Sequence, residues 1–339
     1  MARLGEIIRG EDALSRTRSL LDLIDKLAPR DFEEAVAHFR SLGMTQDRMG
    51  EYSMLLTAWA QVDPVSALTY AKANTEGSFA ADTILTAWAN RDAEAAIAWA
   101  KSNHTGEGAN PNLPGIIRGL VESNPSRATE LLASMPRSVE RGKGLDYILP
   151  HLWRQGAGAV KDWIASISDP SLQDGAMARA AEKMAEYDPA GTSAWLLANQ
   201  GTATNEALDN VYSTWSRMSS TAAVTAFEAI PAGENRSNAL RGLVRSATDK
   251  NPQQGVDLLN RYPNDVNDRV LQNFIWHSFE KDPQTSVSQI SRMTDPQRQE
   301  RMYRRALNAW IERDAKSAQA WIAKNPLPQS VRDRLLGQR

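Results

Sequence analysis

The sequence predicts an all-α chain: an α-α superhelix, or solenoid, of about ten antiparallel helical hairpins of 31 to 32 residues. Three observations predict it. A short pattern returns at a nearly fixed interval along the chain, the recurring acid of that pattern has the chemistry of a helix N-cap, and most of the tryptophans fall into two columns of that register.

The register is plainest in two adjacent segments, MLLTAWAQVDPVSALTYA at 54–71 and TILTAWANRDAEAAIAWA at 83–100. Superposing Trp59 on Trp88 brings Asp63 onto Asp92, Ala67 onto Ala96 and Tyr70 onto Trp99. Along the chain the acid position falls at Asp31, Asp63, Asp92, Asn124, Gly156, Asp188, Ser219, Asn251, Asp282 and Asp314, with intervals of 32, 29, 32, 32, 32, 31, 32, 31 and 32. A compact, non-repeating fold has no reason to hold such a spacing over nine steps.

Taken from the N-terminus, residues 1–28 form the helix that opens the first unit, with Leu20, Leu21, Leu23, Ile24 and Leu27 in its stretch 12–28. Each later unit has a first helix closed by an aromatic four residues before the cap, as at Trp59, Trp88, Trp215 and Trp310. The cap then opens the second helix, because an Asp, Asn or Ser oxygen accepts from an otherwise orphaned backbone N–H. Pro follows at Asp63-Pro64, Asn124-Pro125, Asp188-Pro189, Asn251-Pro252 and Asp282-Pro283, where its missing N–H costs nothing. A small residue four after the cap (Ala67, Ala96, Ala128, Ala318) permits close helix approach. A bulky one at seven (Tyr70, Trp99, Leu131, Trp163, Trp195, Leu258, Trp321) lies on the same face. Connections of two or three residues within a hairpin make its helices antiparallel. Gly156 and Ser219 weaken the pattern and predict looser hairpins. Residues 323–339 are read as a C-terminal capping helix, with its helical part at 329–336, and the whole of 1–339 as one repeat domain.

Eight of the ten tryptophans thus have a packing role, so neither they nor the Asp column is read as a ligand platform or a row of catalysts. Cysteine is absent, which removes disulfides, thiolate metal sites and cysteine nucleophiles. His38, His104, His151 and His277 lack the i, i+3 or i, i+4 partner of a helical metal site. There is no nucleophile elbow, P-loop or dinucleotide fingerprint. No catalytic residue, metal or cofactor is expected, and the chain is not expected to be an enzyme. A toroidal hydrolase or lyase would need two opposed carboxylates, and spacing singles out no such pair.

The net charge of −2 gives no global pull toward nucleic acid or an anionic membrane. The first nine residues lack the apolar core of a secretory signal, and no run approaches the roughly 20 apolar residues of a membrane span. The expectation is a soluble chain, cytoplasmic or a periplasmic domain without its leader. Two segments depart from the pattern. Residues 103–115, NHTGEGANPNLPG, form the longest irregular stretch, with His104, Glu107 and Asn110 as candidate partner contacts. Residues 291–339 hold 11 Lys and Arg against 5 Asp and Glu, and Arg298, Arg301 and Arg305 share a helix face beside Tyr303 and Arg304. That face is an alternative anion or nucleic-acid patch, although basicity confined to one or two units makes nucleic acid the weaker choice.

In architecture the units resemble tetratricopeptide-type α-α repeats, but they are shorter than that family's 34 residues and lack its Leu-Gly and Tyr marks. More closely they resemble bacterial helical-repeat proteins with tandem W-x3-D-P-x2-A-x2-W units. Trp59, Asp63, Pro64, Ala67 and Tyr70 carry the likeness, as do Trp88, Asp92, Ala96 and Trp99, and Trp310, Asp314, Ala318 and Trp321. The resemblance spans nearly the whole chain. It implies a superhelical scaffold, in some members behind a membrane anchor, and with it a protein or peptide partner on the concave surface.

Overall fold

Helix starts in this chain are set by the side chain of the recurring residue. In the computed structural model, which describes residues 5–7, 12–199 and 202–336, Asp63 accepts from Ser66 N–H at 3.0 Å and Asp92 from Ala95 N–H at 3.0 Å. Asn124, Asp188, Ser219, Asn251, Asp282 and Asp314 do the same for their own second helices, at 2.8 to 3.3 Å. Asp314 lies inside an otherwise continuous run, Pro296–Lys324. Its φ and ψ of −148° and 82° are those of Asp63, and they break that run into a first and a second helix.

All regular structure among the described residues is helical. Two positions of the register differ in kind. Gly156 has no side chain to cap with and turns the chain through φ +102°, a region costly for any residue with a Cβ. Asp31 does not cap the helix Phe32–Ser41; it ends a 3₁₀ turn and accepts from Ala28 N–H at 3.2 Å.

The chain divides into two units, 1–172 and 173–339. In the first unit, Met49–Val62 pairs with Pro64–Asn74, Phe79–Arg91 with Ala93–Ser102, Leu113–Leu120 with Pro125–Ala133, and Val139–Trp153 with Ala157–Ser166. In the second, Thr202–Met218 pairs with Ser220–Glu228, Glu234–Lys250 with Pro252–Arg261, and Asp268–Ser278 with Pro283–Ser288. At Asp63, Asp92, Ser219 and Asn251 the junction is the cap residue alone, tighter than the two or three residues expected. Within each unit, first helices pack on the first helices of neighbouring pairs. Phe79–Arg91 lies between Met49–Val62 and Leu113–Leu120, and Glu234–Lys250 between Thr202–Met218 and Asp268–Ser278.

The two aromatic columns meet inside three of the pairs. Trp59 and Tyr70 lie 5.5 Å apart, Trp88 and Trp99 6.1 Å, and Trp310 and Trp321 6.2 Å, all tilted as aromatic rings prefer. Trp59, Trp88, Trp310 and Trp321 are buried, while Trp99, Trp163, Trp195 and Trp215 are half-buried. Ala67, Ala96, Ala128 and Ala318 are wholly buried where the helices touch.

A second set of bonds, invisible as a motif, ties each pair to the next. The residue before a cap reaches the end of the preceding first helix: Arg91 to the Gln61 carbonyl, Lys281 to the Asp249 carbonyl at 2.7 Å, and Arg313 to the Glu280 carbonyl at 2.9 Å. Trp163 donates its indole N–H to Thr129 at 3.0 Å, one repeat back.

At the ends, the opening helix runs Ala13–Ile24, capped by Asp12, with Leu20 buried and Leu21 half exposed. The rest of the 1–28 expectation falls partly on residues 1–4 and 8–11, outside the described residues. Within the expected 323–339 cap, residues 323–324 end Pro296–Lys324 and Gln329–Leu336 is a separate helix with Val331 buried; 337–339 lie outside the described residues. No helix among the described residues is long and apolar enough to cross a membrane.

Candidate functional cleft

The face of a first helix turned away from its partner carries residues two, five or six, and nine or ten before the cap, one helical stripe. In the first unit, three successive first helices bring these positions together around a cleft of about 400 Å³. The Asp92 pair contributes Thr86 and Asn90, the Asn124 pair Arg118, Gly119 and Glu122, and the Gly156 pair Tyr147, Pro150, His151 and Arg154. The cap and tryptophan columns contribute nothing to its lining.

Glycine makes the floor. A Cβ at Gly119 would lie 2.5 Å from the Thr86 carbonyl and one at Gly115 2.9 Å from Asp82 Cα, so Leu113–Leu120 sits closer to Phe79–Arg91 than side chains allow. Thr86 fastens the contact by donating to the Gly115 carbonyl at 3.0 Å. On the opposite wall, Pro150 supplies no N–H to the ladder of Val139–Trp153.

The charges are arranged in two groups. Arg118 stacks its guanidinium over the Tyr147 ring, 5.6 Å from the centroid. Behind them Asp82 is 6% exposed, with one carboxylate oxygen lacking any hydrogen-bond partner. Burial pushes its pKa above the ordinary carboxylate value, against the pull of Ser78, Lys143 and Arg118. Burial, reinforced by the Asp82 charge, also holds the Tyr147 phenol above its ordinary value. In the second group, Glu122 is bound by Arg154, which keeps its pKa low, and lies 3.4 Å from His151 Nδ1. Arg154 also approaches that nitrogen at 3.0 Å. The Gln155 side-chain amide nitrogen lies 3.2 Å from Nε2.

The cleft presents an aromatic wall, guanidinium donors, an amide and carboxylates over mixed polar and apolar lining. Among the described residues no group of three or more His, Asp or Glu is placed to hold a metal ion. No known protein family, curated protein or solved structure matches the chain.

The residues singled out from sequence lie elsewhere. His104 donates Nε2–H to the Gly108 carbonyl at 2.9 Å, folding its loop on itself, and Glu107 is exposed. Asn110 is buried: it donates to the Ala100 carbonyl at 2.8 Å and accepts from Asn112 N–H at 3.0 Å, anchoring the loop rather than presenting a contact. The irregular stretch is also shorter than expected, since Leu113, Pro114 and Gly115 already belong to a helix. Arg298 is tied to Asp295 at 3.2 Å, Arg301 is exposed, and Arg305 stacks on Trp276 at 4.2 Å.

Sequence reasoning did not find Arg118, Tyr147 or Arg154. His151 appeared isolated because its neighbours were sought within one helix turn, whereas Glu122 is 29 residues away. A signal was present: all three helices carry a polar residue two before the cap, at Asn90, Glu122 and Arg154. Gly115 and Gly119, four apart, also mark a close helix approach.

Proposed function

We propose that the chain is a non-catalytic, tetratricopeptide-like scaffold of about ten helical hairpins that binds a protein or peptide segment on the face of its first helices. The observation that carries this reading is the cleft in the first unit. Its lining comes from the polar stripe of three consecutive hairpins, the part of a repeat free to vary when caps and tryptophans hold the fold. Its size lies in the range of about 300–1,000 Å³ typical of ligand sites. Tyr147 and Arg118 are of the residue types that dominate binding energy at protein interfaces. The occupant is a peptide side chain with its flanking main chain, offered donors by Arg118 and Asn90 and an aromatic wall by Tyr147.

The test is selection of a displayed library of random short peptides against the chain, followed by affinity measurement with Arg118→Ala and Tyr147→Ala. Enriched peptides that share a motif and lose at least tenfold in affinity with both variants support the reading. Failure to enrich any sequence, or affinities that both variants leave unchanged, overturns it. Unaltered circular dichroism of both variants keeps a folding defect from imitating the result.

A further inference from the structure

A second stretch of the first-helix face, in the second unit, has a different chemistry and is independent of the cleft. Six residues before the cap, the other first helices of the described residues carry threonine, serine, proline, asparagine, glutamate or arginine; the Asp282 pair carries Trp276. That indole belongs to neither packing column and is 44% exposed. The guanidinium of Arg305, from the following first helix, lies 4.2 Å from its ring centroid. Arg305 is itself exposed, and Arg301 stands one turn earlier on the same helix face. On the same two helices, the buried Asn273 Oδ1 and Arg304 Nε have no hydrogen-bond partner.

The surrounding charges select among occupants. Arg301 and Arg305 sit toward the start of their helix, while Asp249, Glu280 and Glu312, two before successive caps, form an acidic row at the other end of the face. His277 and Arg313 touch two members of that row, at 3.2 and 3.1 Å. A long polyanion crossing this face would meet the row. A short acidic segment beside the arginines would not, and an apolar neighbour on that segment would cover the remaining indole surface.

We propose that Trp276, Arg301 and Arg305 form a docking surface for an acidic peptide segment that places an apolar side chain on the Trp276 ring. Arg305, already held over the indole, would meet the carboxylate with little loss of side-chain freedom.

The probes are fluorescein-labelled peptides alternating glutamate with leucine or phenylalanine, counterparts with lysine for glutamate, and an oligothymidylate of matching charge. Binding is read by fluorescence anisotropy at low and moderate salt. The acidic apolar peptide is expected to bind, the lysine peptide not to bind, and Trp276→Ala and Arg305→Glu each to weaken binding at least tenfold. Arg118→Ala, in the other unit, is expected to leave this binding unchanged, so failure of the cleft reading and failure of this one are separable. Three results each overturn the proposal: no binding of the acidic peptide, binding indifferent to Trp276→Ala, or oligothymidylate binding as tight and equally dependent on Arg305.

Discussion

Gly119→Ala sets two consequences of one methyl group against each other. In a helix interior, alanine is better than glycine by about 0.5–1 kcal/mol, so local propensity predicts a more stable protein. Packing predicts the reverse. The added Cβ would lie 2.5 Å from the Thr86 carbonyl oxygen, 3.0 Å from Ala89 Cβ and 3.2 Å from Asn90 N. Two of those neighbours are backbone and cannot rotate aside. Ordinary contact begins at 3.4 Å, so Leu113–Leu120 must retreat by 3.4 − 2.5 = 0.9 Å from Phe79–Arg91. Overpacking of this kind costs about 1–3 kcal/mol, which leaves a net loss of roughly 0–2.5 kcal/mol after the propensity gain. The comparison is Gly158→Ala, also in a helix but exposed and with nothing within 4 Å of its Cβ, which should gain up to about 1 kcal/mol. Urea unfolding followed by far-ultraviolet circular dichroism measures both, with slopes reported because repeat chains need not unfold in one step. A Gly119→Ala midpoint at or above that of the unsubstituted protein would refute the close-packed floor of the cleft.

Three further outcomes are expected. Asp63→Ala should cost about 1 kcal/mol through loss of the N-cap, with Asp63→Asn close to neutral near pH 7. The Asp63 carboxyl is held below its ordinary value of 3.8, chiefly by the Ser66 side chain and then by the Ser66 N–H. A lowered folded pKa means that the stability due to the charge is full above the ordinary value and is lost as pH falls through the lowered one. The Asp63→Asn variant, which does not titrate at this position, should therefore gain on the unsubstituted chain in melts at acid pH. Trp310→Ala, at a buried ring 6.2 Å from Trp321, should cost about 3–5 kcal/mol, and a double-mutant cycle with Trp321→Ala should return a coupling of about 0.5–1.5 kcal/mol; additive losses would place the two rings out of contact. Asp209→Ala removes the carboxylate that holds Arg241, at 2.6 Å, and that pairs at 2.9 Å with Arg245, which also donates to Ser213 and Asn210. It should cost about 3–5 kcal/mol in a chemical melt, against at most about 0.5 kcal/mol if the group were merely a surface charge.

The contrast between Asp63 and His151 shows which features can be read from sequence. Asp63 bonds to a backbone N–H three residues away, so its role is complete within one turn and repeats wherever the turn does. His151 takes its setting from Glu122 and Arg154, and Glu122 belongs to another helix pair. The same reasoning explains Asn110, which looked like a loop contact among glycines and prolines. Its anchoring bond to the Ala100 carbonyl spans ten residues, most of them irregular chain. Asp31 fits the interval as well as any cap does, yet its side chain turns back to Ala28, because spacing fixes where a residue recurs and not which N–H it finds.

By itself the sequence determined the helical class, the places where second helices begin, and the two columns that hold most of the tryptophans, since capping and helical periodicity act over a few residues and repeat without reference to the rest of the chain. Only the tertiary structure decided which polar stripe opens into a cleft, that Gly119 forms its floor, and that Trp276 faces outward under Arg305. Those outcomes depend on the distance between helices of different repeats. That distance is set by side-chain volumes meeting from positions some thirty residues apart, and no local pattern records it.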